Sequence, residues 1–134
     1  MSASRTHLGH LLLALLVSAA AAFGPYPAVG AGEPPARLAL VVYITTSKAC
    51  GCTLELCQAG DNIIQQIFAD GRGVPLERLD HGRDPEAAKG FIMDYRLFTL
   101  PALLFLDSRG NLVARWQGLL PREEILAKLK EYSR

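Results

Sequence analysis

Residues 37–57 read RLALVVYITTSKACGCTLELC. Arg37 to Thr45 is an unbroken run of aliphatic and β-branched residues. The run does not alternate with polar residues, which predicts a strand buried on both faces, as in a parallel sheet. Thr46 to Ala49 is polar and reads as a loop. All three cysteines of the chain, Cys50, Cys52 and Cys57, follow directly. From about Thr53 to Asp70 the pattern turns helical, with Ile63, Ile64, Ile67 and Phe68 at helical spacing. Gly60-Asp61-Asn62 interrupts this pattern and predicts a kink, or two shorter helices with Asp61 capping the second.

Downstream, Gly71 to Gly73 reads as a turn, and Val74 to Leu79 as a second strand with Pro75 tolerated near its start. Asp84-Pro85-Glu86 opens a helix that should run to about Tyr95, with Asp84 as cap and Pro85 at the first helical position. Ala102 to Leu106 and Leu112 to Gln117 read as strands. The turn-rich Asp107 to Asn111 between them predicts an antiparallel hairpin. Pro121 opens a last helix with Ile125, Leu126 and Leu129 inward. The class is α/β: a four-stranded mixed sheet in the order β-α-β-α-β-β-α, with helices on both faces and a right-handed crossover in its first half.

Upstream, Arg5 is the only charged residue before Glu33, and Leu8 to Ala22 is apolar apart from His10 and Ser18. This run is short for a bilayer span, which needs about 20 residues. One positive charge, an apolar stretch and small residues near a cleavage point fit a secretory signal peptide. We take residues 1–31 as the signal, ending at Val29-Gly30-Ala31, with the alanines near Ala22 as a second cleavage point. Residues 32–36 form an extended lead-in, and residues 37–134 the folded domain. No membrane span is expected once the signal is removed, and the expected location is the periplasm or cell envelope.

The 134 residues argue for one domain. The formal net charge of +1, with 20% charged residues, gives no reason to expect nucleic acid or an anionic membrane as partner. Asp80, Arg83, Asp84 and Arg96 read as loop and helix-end charges. No Ser-His-Asp set, phosphate loop or carboxylate pair is visible, and no cofactor is expected.

The element order resembles the thioredoxin superfamily. Three local features carry the resemblance: cysteines between the first strand and its helix, Thr99-Leu100-Pro101-Ala102 ahead of the third strand, and Gly118 after the fourth. It extends over residues 37 to 132. It implies a cis peptide bond between Leu100 and Pro101, with Leu100 and Pro101 forming the edge where a substrate chain docks. It also implies thiol–disulfide exchange with protein thiols or disulfides, and a redox partner protein. The chain departs from the family's two cysteines separated by two residues, since it has Cys50-Gly51-Cys52. It also lacks the tryptophan before the first cysteine and an acidic residue in the preceding strand, where thioredoxins place a buried carboxylate. Glu55 is the nearest carboxylate in sequence.

The chemistry of a reactive thiol does not depend on the missing features. The thiolate is the attacking species, and a helix N-terminus lowers a thiol pKa through its free N–H groups and dipole. Cys50 and Cys52 lie near such a terminus, and Lys48 adds a positive charge. Three pairings are open. Cys50 with Cys52 closes a small strained ring, which makes it easily reduced. Cys52 with Cys57 and Cys50 with Cys57 close larger ones. In a regular helix Cys57 would stand about 10 Å from Cys50, beyond disulfide reach. Cys57 also falls on the apolar stripe with Ile64 and Phe68, where a small buried hydrophobe fits equally well. The working pair is therefore expected to be Cys50 and Cys52, with Cys57 as a third candidate. A static structural disulfide is the plain alternative for the pair. Two other functions compete: soft-metal or metalloid capture by three thiolates, with His81 as a further ligand, and a redox-inert interaction module.

Overall fold

The computed structural model describes residues 37–71 and 73–133, so the expected signal peptide and lead-in lie outside the described residues. The aliphatic run forms β1 (Leu38–Thr45), with Val41, Val42, Tyr43 and Ile44 fully buried. It pairs in parallel with β2 (Leu76–Asp80) and antiparallel with β3 (Ala102–Asp107), and β3 pairs antiparallel with β4 (Leu112–Gln117). The order across the mixed sheet is β2-β1-β3-β4. The two inner strands are apolar on both faces because each face is covered. The edge strands, LERLD and LVARWQ, are less buried and carry charged residues.

Alternation along β1 divides the core. Val41 and Tyr43 join Leu103, Phe105, Ile64, Ile67, Ile125 and Leu129, under α1 (Gly51–Phe68) and α3 (Arg122–Tyr132). Val42 and Ile44 join Leu104, Leu106, Leu97 and Ala88, under α2 (Pro85–Asp94). Each such aliphatic side chain contributes about 1.5–3 kcal/mol by burial, so a small sheet with three helices holds together without cross-links. Asp84 caps α2 by accepting the Ala87 N–H at 3.1 Å, as its sequence position predicts.

Three details differ from expectation. First, α1 begins at Gly51, two residues early, and passes through Gly60-Asp61-Asn62 as one continuous helix. Gly60 does not break it. A Cβ there would stand 2.8 Å from the Tyr43 hydroxyl and 2.9 Å from Pro101 Cγ, so this glycine permits close approach of helix and sheet. Asp61 caps nothing and pairs with Arg78 of β2 at 3.1 Å. Second, β2 begins at Leu76 instead of Val74, because Pro75 has no N–H to donate. Its carbonyl still accepts the Val41 N–H at 2.9 Å. Third, of the three side chains expected inside α3, Ile125 and Leu129 are buried and Leu126 only partly so.

Register decides what lies at each end of the sheet. Thr45 stands opposite Asp80, Ile44 opposite Ala102, and Ala102 opposite Gln117. The loop before α1, the loop after β2, the loop before β3 and the loop after β4 therefore share one end.

Candidate active site

Cys50 is the N-cap residue of α1, with extended backbone (φ −64°, ψ 159°), and Cys52 follows within the first turn. Both are exposed. The turn closes through the Leu54 N–H, which donates to the Cys50 carbonyl at 3.1 Å. No acidic side chain sits in this first turn, so nothing there opposes the positive end of the helix dipole.

The two sulfurs are 3.0 Å apart, and the Thr53 hydroxyl lies 3.3 Å from Cys50 Sγ. The hydrogen bond with Cys52, and then that with Thr53, bring the Cys50 thiol down to about 7. A thiol in that range is substantially ionised at neutral pH, and the thiolate is the nucleophile.

Cys57 stands apart from this pair. It is 2% exposed and lies on the inner stripe of α1 with Gly60, Ile64 and Ile67. It lies seven positions beyond Cys50, about 10 Å of helical rise, beyond disulfide reach. The three thiols are not one cluster. Among the described residues, no three His, Cys, Asp or Glu side chains gather closely enough to hold a metal ion, so His81 completes no such set.

The Leu100–Pro101 peptide is cis, as the resemblance implies. Pro101 is buried, Leu100 half-buried, and the Pro101 carbonyl accepts the Gly118 N–H at 2.8 Å. Gln117 Oε1 accepts the N–H groups of Phe98 at 2.7 Å and Thr99 at 3.2 Å, pinning the loop that leads to the cis bond. Phe98 and Leu119, on these adjoining loops, are 86% and 74% exposed. No carboxylate is buried near the thiols: among the described residues no Asp or Glu side chain is buried.

Three contributors have no site role in the sequence reading, which takes Asp80 only as a loop or helix-end charge. Thr53 sits three residues after Cys50, the spacing at which the expected partner cysteine would stand. That spacing was its one local signal. Asp80 and Gln117 reach loops far from them in sequence and carried none.

Residues 36–133 match the family profile of the thioredoxin-like domain. The chain belongs to the thioredoxin-like domain family. Among solved structures, this thioredoxin-like chain is similar to thioredoxin 1 from the thermophilic eubacterium Thermosipho africanus, at 19% identity and a TM-score of 0.52. That likeness covers 69% of this chain and 92% of the other. It is similar to thioredoxin O2 from Arabidopsis thaliana in its oxidised state, at 18% identity and a TM-score of 0.53, over 74% and 81% of the two chains. It is also similar to a thioredoxin of Malassezia sympodialis, at 13% identity and a TM-score of 0.52, over 71% and 75%. At these identities the likeness establishes the thioredoxin-like fold. No curated protein matches the chain significantly. No helix among the described residues is long and apolar enough to cross a membrane.

Proposed function

We propose that this thioredoxin-like protein is an exported thiol–disulfide oxidoreductase of the cell envelope, with Cys50 as attacking thiol and Cys52 as resolving thiol. The observation that carries the reading is the Cys50–Cys52 pair itself. Two exposed thiols stand 3.0 Å apart at a helix N-terminus, at the end of the sheet that also holds the cis-proline loop.

In the reducing direction, the Cys50 thiolate attacks one sulfur of a protein disulfide. A bond forms from Cys50 Sγ to that sulfur, and the second substrate sulfur leaves as a thiolate that takes a proton from water. Cys52 then loses its proton to solvent and attacks Cys50 Sγ. This releases the remaining substrate thiolate and leaves a Cys50–Cys52 disulfide. Two electrons pass to the substrate, and a dithiol redox partner returns them to the protein. The oxidising direction runs the same steps backwards. Both sulfurs face solvent, so water serves as proton acceptor without a buried carboxylate. Leu100 and Pro101 form the docking edge for the substrate chain.

Cys52→Ser removes the resolving thiol, so incubation with a disulfide-bonded protein should accumulate a mixed disulfide at Cys50. Mass spectrometry of the unaltered protein should find a reversible loss of two hydrogens. Failure to form the pair, with metal retained stoichiometrically through purification, would replace this reading by metal binding. A cellular function that survives replacement of all three cysteines would replace it by a redox-inert interaction role.

A further inference from the structure

Asp80, the last residue of β2, reaches across the end of the sheet to the loop that carries Cys50. Its Oδ1 accepts the Ser47 N–H at 2.9 Å, the Ser47 hydroxyl at 3.2 Å and the Gly82 N–H at 2.8 Å. Arg83 Nε lies 3.3 Å from Oδ2. One carboxylate oxygen thus ties together two loops that are 33 residues apart in sequence.

Packing reinforces the tie. A Cβ on Gly82 would stand 2.7 Å from the Lys48 backbone nitrogen, 2.9 Å from Ser47 Oγ and 3.0 Å from the Ser47 nitrogen. Thr46 closes the loop from within: its Oγ1 accepts the Lys48 N–H at 3.2 Å and donates to the Lys48 carbonyl at 3.1 Å. The His81 N–H donates to the Thr45 carbonyl at 2.9 Å. Every residue from Thr45 to Lys48 is therefore bonded within the loop or to the segment Asp80–Gly82, and Cys50 follows two residues later.

We propose that Asp80 is a positioning residue for Cys50, holding the Thr46–Ala49 loop so that this thiol stays at the start of α1 against Cys52 and Thr53. The consequence for catalysis rests on the oxidoreductase reading above; the positioning itself does not. Without the clamp, the loop and the N-cap residue move freely, and Cys50 Sγ spends less time in its two hydrogen bonds. Its thiolate then forms less readily at neutral pH. The carboxylate is well suited to the task, because an ionised acceptor makes the stronger hydrogen bond to backbone N–H.

The test compares Asp80→Asn with Asp80→Ala in the reduced, full chain. Both remove the charge, but only Asn keeps an acceptor oxygen aimed at Ser47 and Gly82. Loss of the Arg83 contact matters little, since that side chain is 80% exposed. The readout is the iodoacetamide alkylation rate of Cys50 at pH 7, with the adduct located by tandem mass spectrometry and the melting temperature recorded alongside. With its thiol at about 7, Cys50 is about half ionised. A free thiol near 8.5 is about one-thirtieth ionised, which sets a ceiling of roughly fifteenfold.

Asp80→Ala should react between about threefold and fifteenfold more slowly than Asp80→Asn. Equal rates in the two variants would overturn the proposal, including the case in which Asp80→Ala only lowers the melting temperature. If Asp80→Ala does not fold, Gly82→Ala asks the same question from the opposite loop: slower alkylation supports the clamp, and an unchanged rate overturns it. If the unaltered protein never forms a reversible Cys50–Cys52 disulfide, the oxidoreductase reading fails while the alkylation comparison still decides the role of Asp80.

Discussion

The Tyr43 hydroxyl donates to the Cys57 carbonyl oxygen at 3.2 Å, inside the core. This bond fastens α1 to β1. Together with the close approach at Gly60, it accounts for α1 continuing unbroken where its sequence suggests a break. The helix comes so close to the sheet that one residue facing Tyr43 and Pro101 has no room for a side chain, and Gly60 fills that place. Burial raises the Tyr43 pKa far above its ordinary value, so the phenol remains a donor throughout the physiological range.

Gly60→Ala should therefore destabilise the protein, against the usual direction for a helix interior. Alanine gains up to about 1 kcal/mol in helix propensity. The new Cβ would have to displace the Tyr43 hydroxyl and the buried Pro101 ring, an overpacking cost of about 1–3 kcal/mol. Urea unfolding should show a net loss; a gain would mean that the helix stands further from the sheet.

Cys57→Ala should leave the redox cycle of Cys50 and Cys52 intact and cost on the order of 1 kcal/mol of stability, the contribution of one small buried apolar group. Thiol titration and mass spectrometry of the variant should still find a two-electron couple. Its loss would make Cys57 a working thiol.

Thr53→Val removes a hydrogen bond to Cys50 Sγ and should move the ionisation midpoint of that thiol upward from about 7, by roughly half a unit to one unit. Thr53→Ser should restore it. Thiolate absorbance followed against pH checks both, and an unchanged midpoint in Thr53→Val would leave Cys52 and the helix terminus as the only supports of the thiolate.

Arg96 occupies a left-handed backbone conformation (φ 50°) after α2. Its N–H donates to the Met93 carbonyl at 3.3 Å, and the Leu97 N–H donates to the Ile92 carbonyl at 2.9 Å, a helix end in which this position ordinarily holds glycine. Arg96→Gly should stabilise the domain by about 0.5–1 kcal/mol. Thermal unfolding would detect it, and a lower melting temperature would show that the arginine side chain contributes more than its backbone strain costs.

Acid should unfold the protein partly through two carboxylates. Burial alone would raise Asp80, but hydrogen bonds from Ser47 and Gly82 and the Arg83 charge outweigh it and hold the group below its ordinary value. Asp107 is held low chiefly by hydrogen bonds from the Asn111 side chain and backbone. A carboxylate depressed in the folded state adds stability above its unfolded value of about 3.9 and loses it as pH falls through the lower folded value. Melting temperature should therefore fall below about pH 4, and less steeply in Asp107→Asn. A slope unchanged by that variant would remove Asp107 from the account.

Much of this molecule was legible before its structure. The unbroken run at Leu38–Thr45 reads as an inner strand because neither face alternates. Asp84-Pro85 reads as a helix start, and Asp107–Asn111 as a hairpin turn. These signals act between near neighbours, through side-chain direction, caps and allowed backbone angles, and a linear reading reaches them. Leu100-Pro101 was legible through family resemblance instead of local physics. Within the site, the residue types and their place at a helix start were readable.

What the linear reading left open was how close the expected Cys50–Cys52 pair stands, what Gly60 is for, and what holds the cysteine loop. Each depends on residues brought together by the sheet order β2-β1-β3-β4. That order places Asp80 beside Ser47, and Gln117 beside the Phe98–Thr99 backbone. The course of α1 along the sheet turns Cys57 into the core while Cys50 and Cys52 stay at the surface. The amino-acid sequence by itself determined that this is an α/β domain with thiols at the mouth of its first helix. The tertiary structure alone decided that Cys57 lies in the core away from the expected pair, whose sulfurs stand 3.0 Å apart, and that a carboxylate from the next strand bonds to their loop. Contacts between distant segments are selected by packing, which no local pattern encodes.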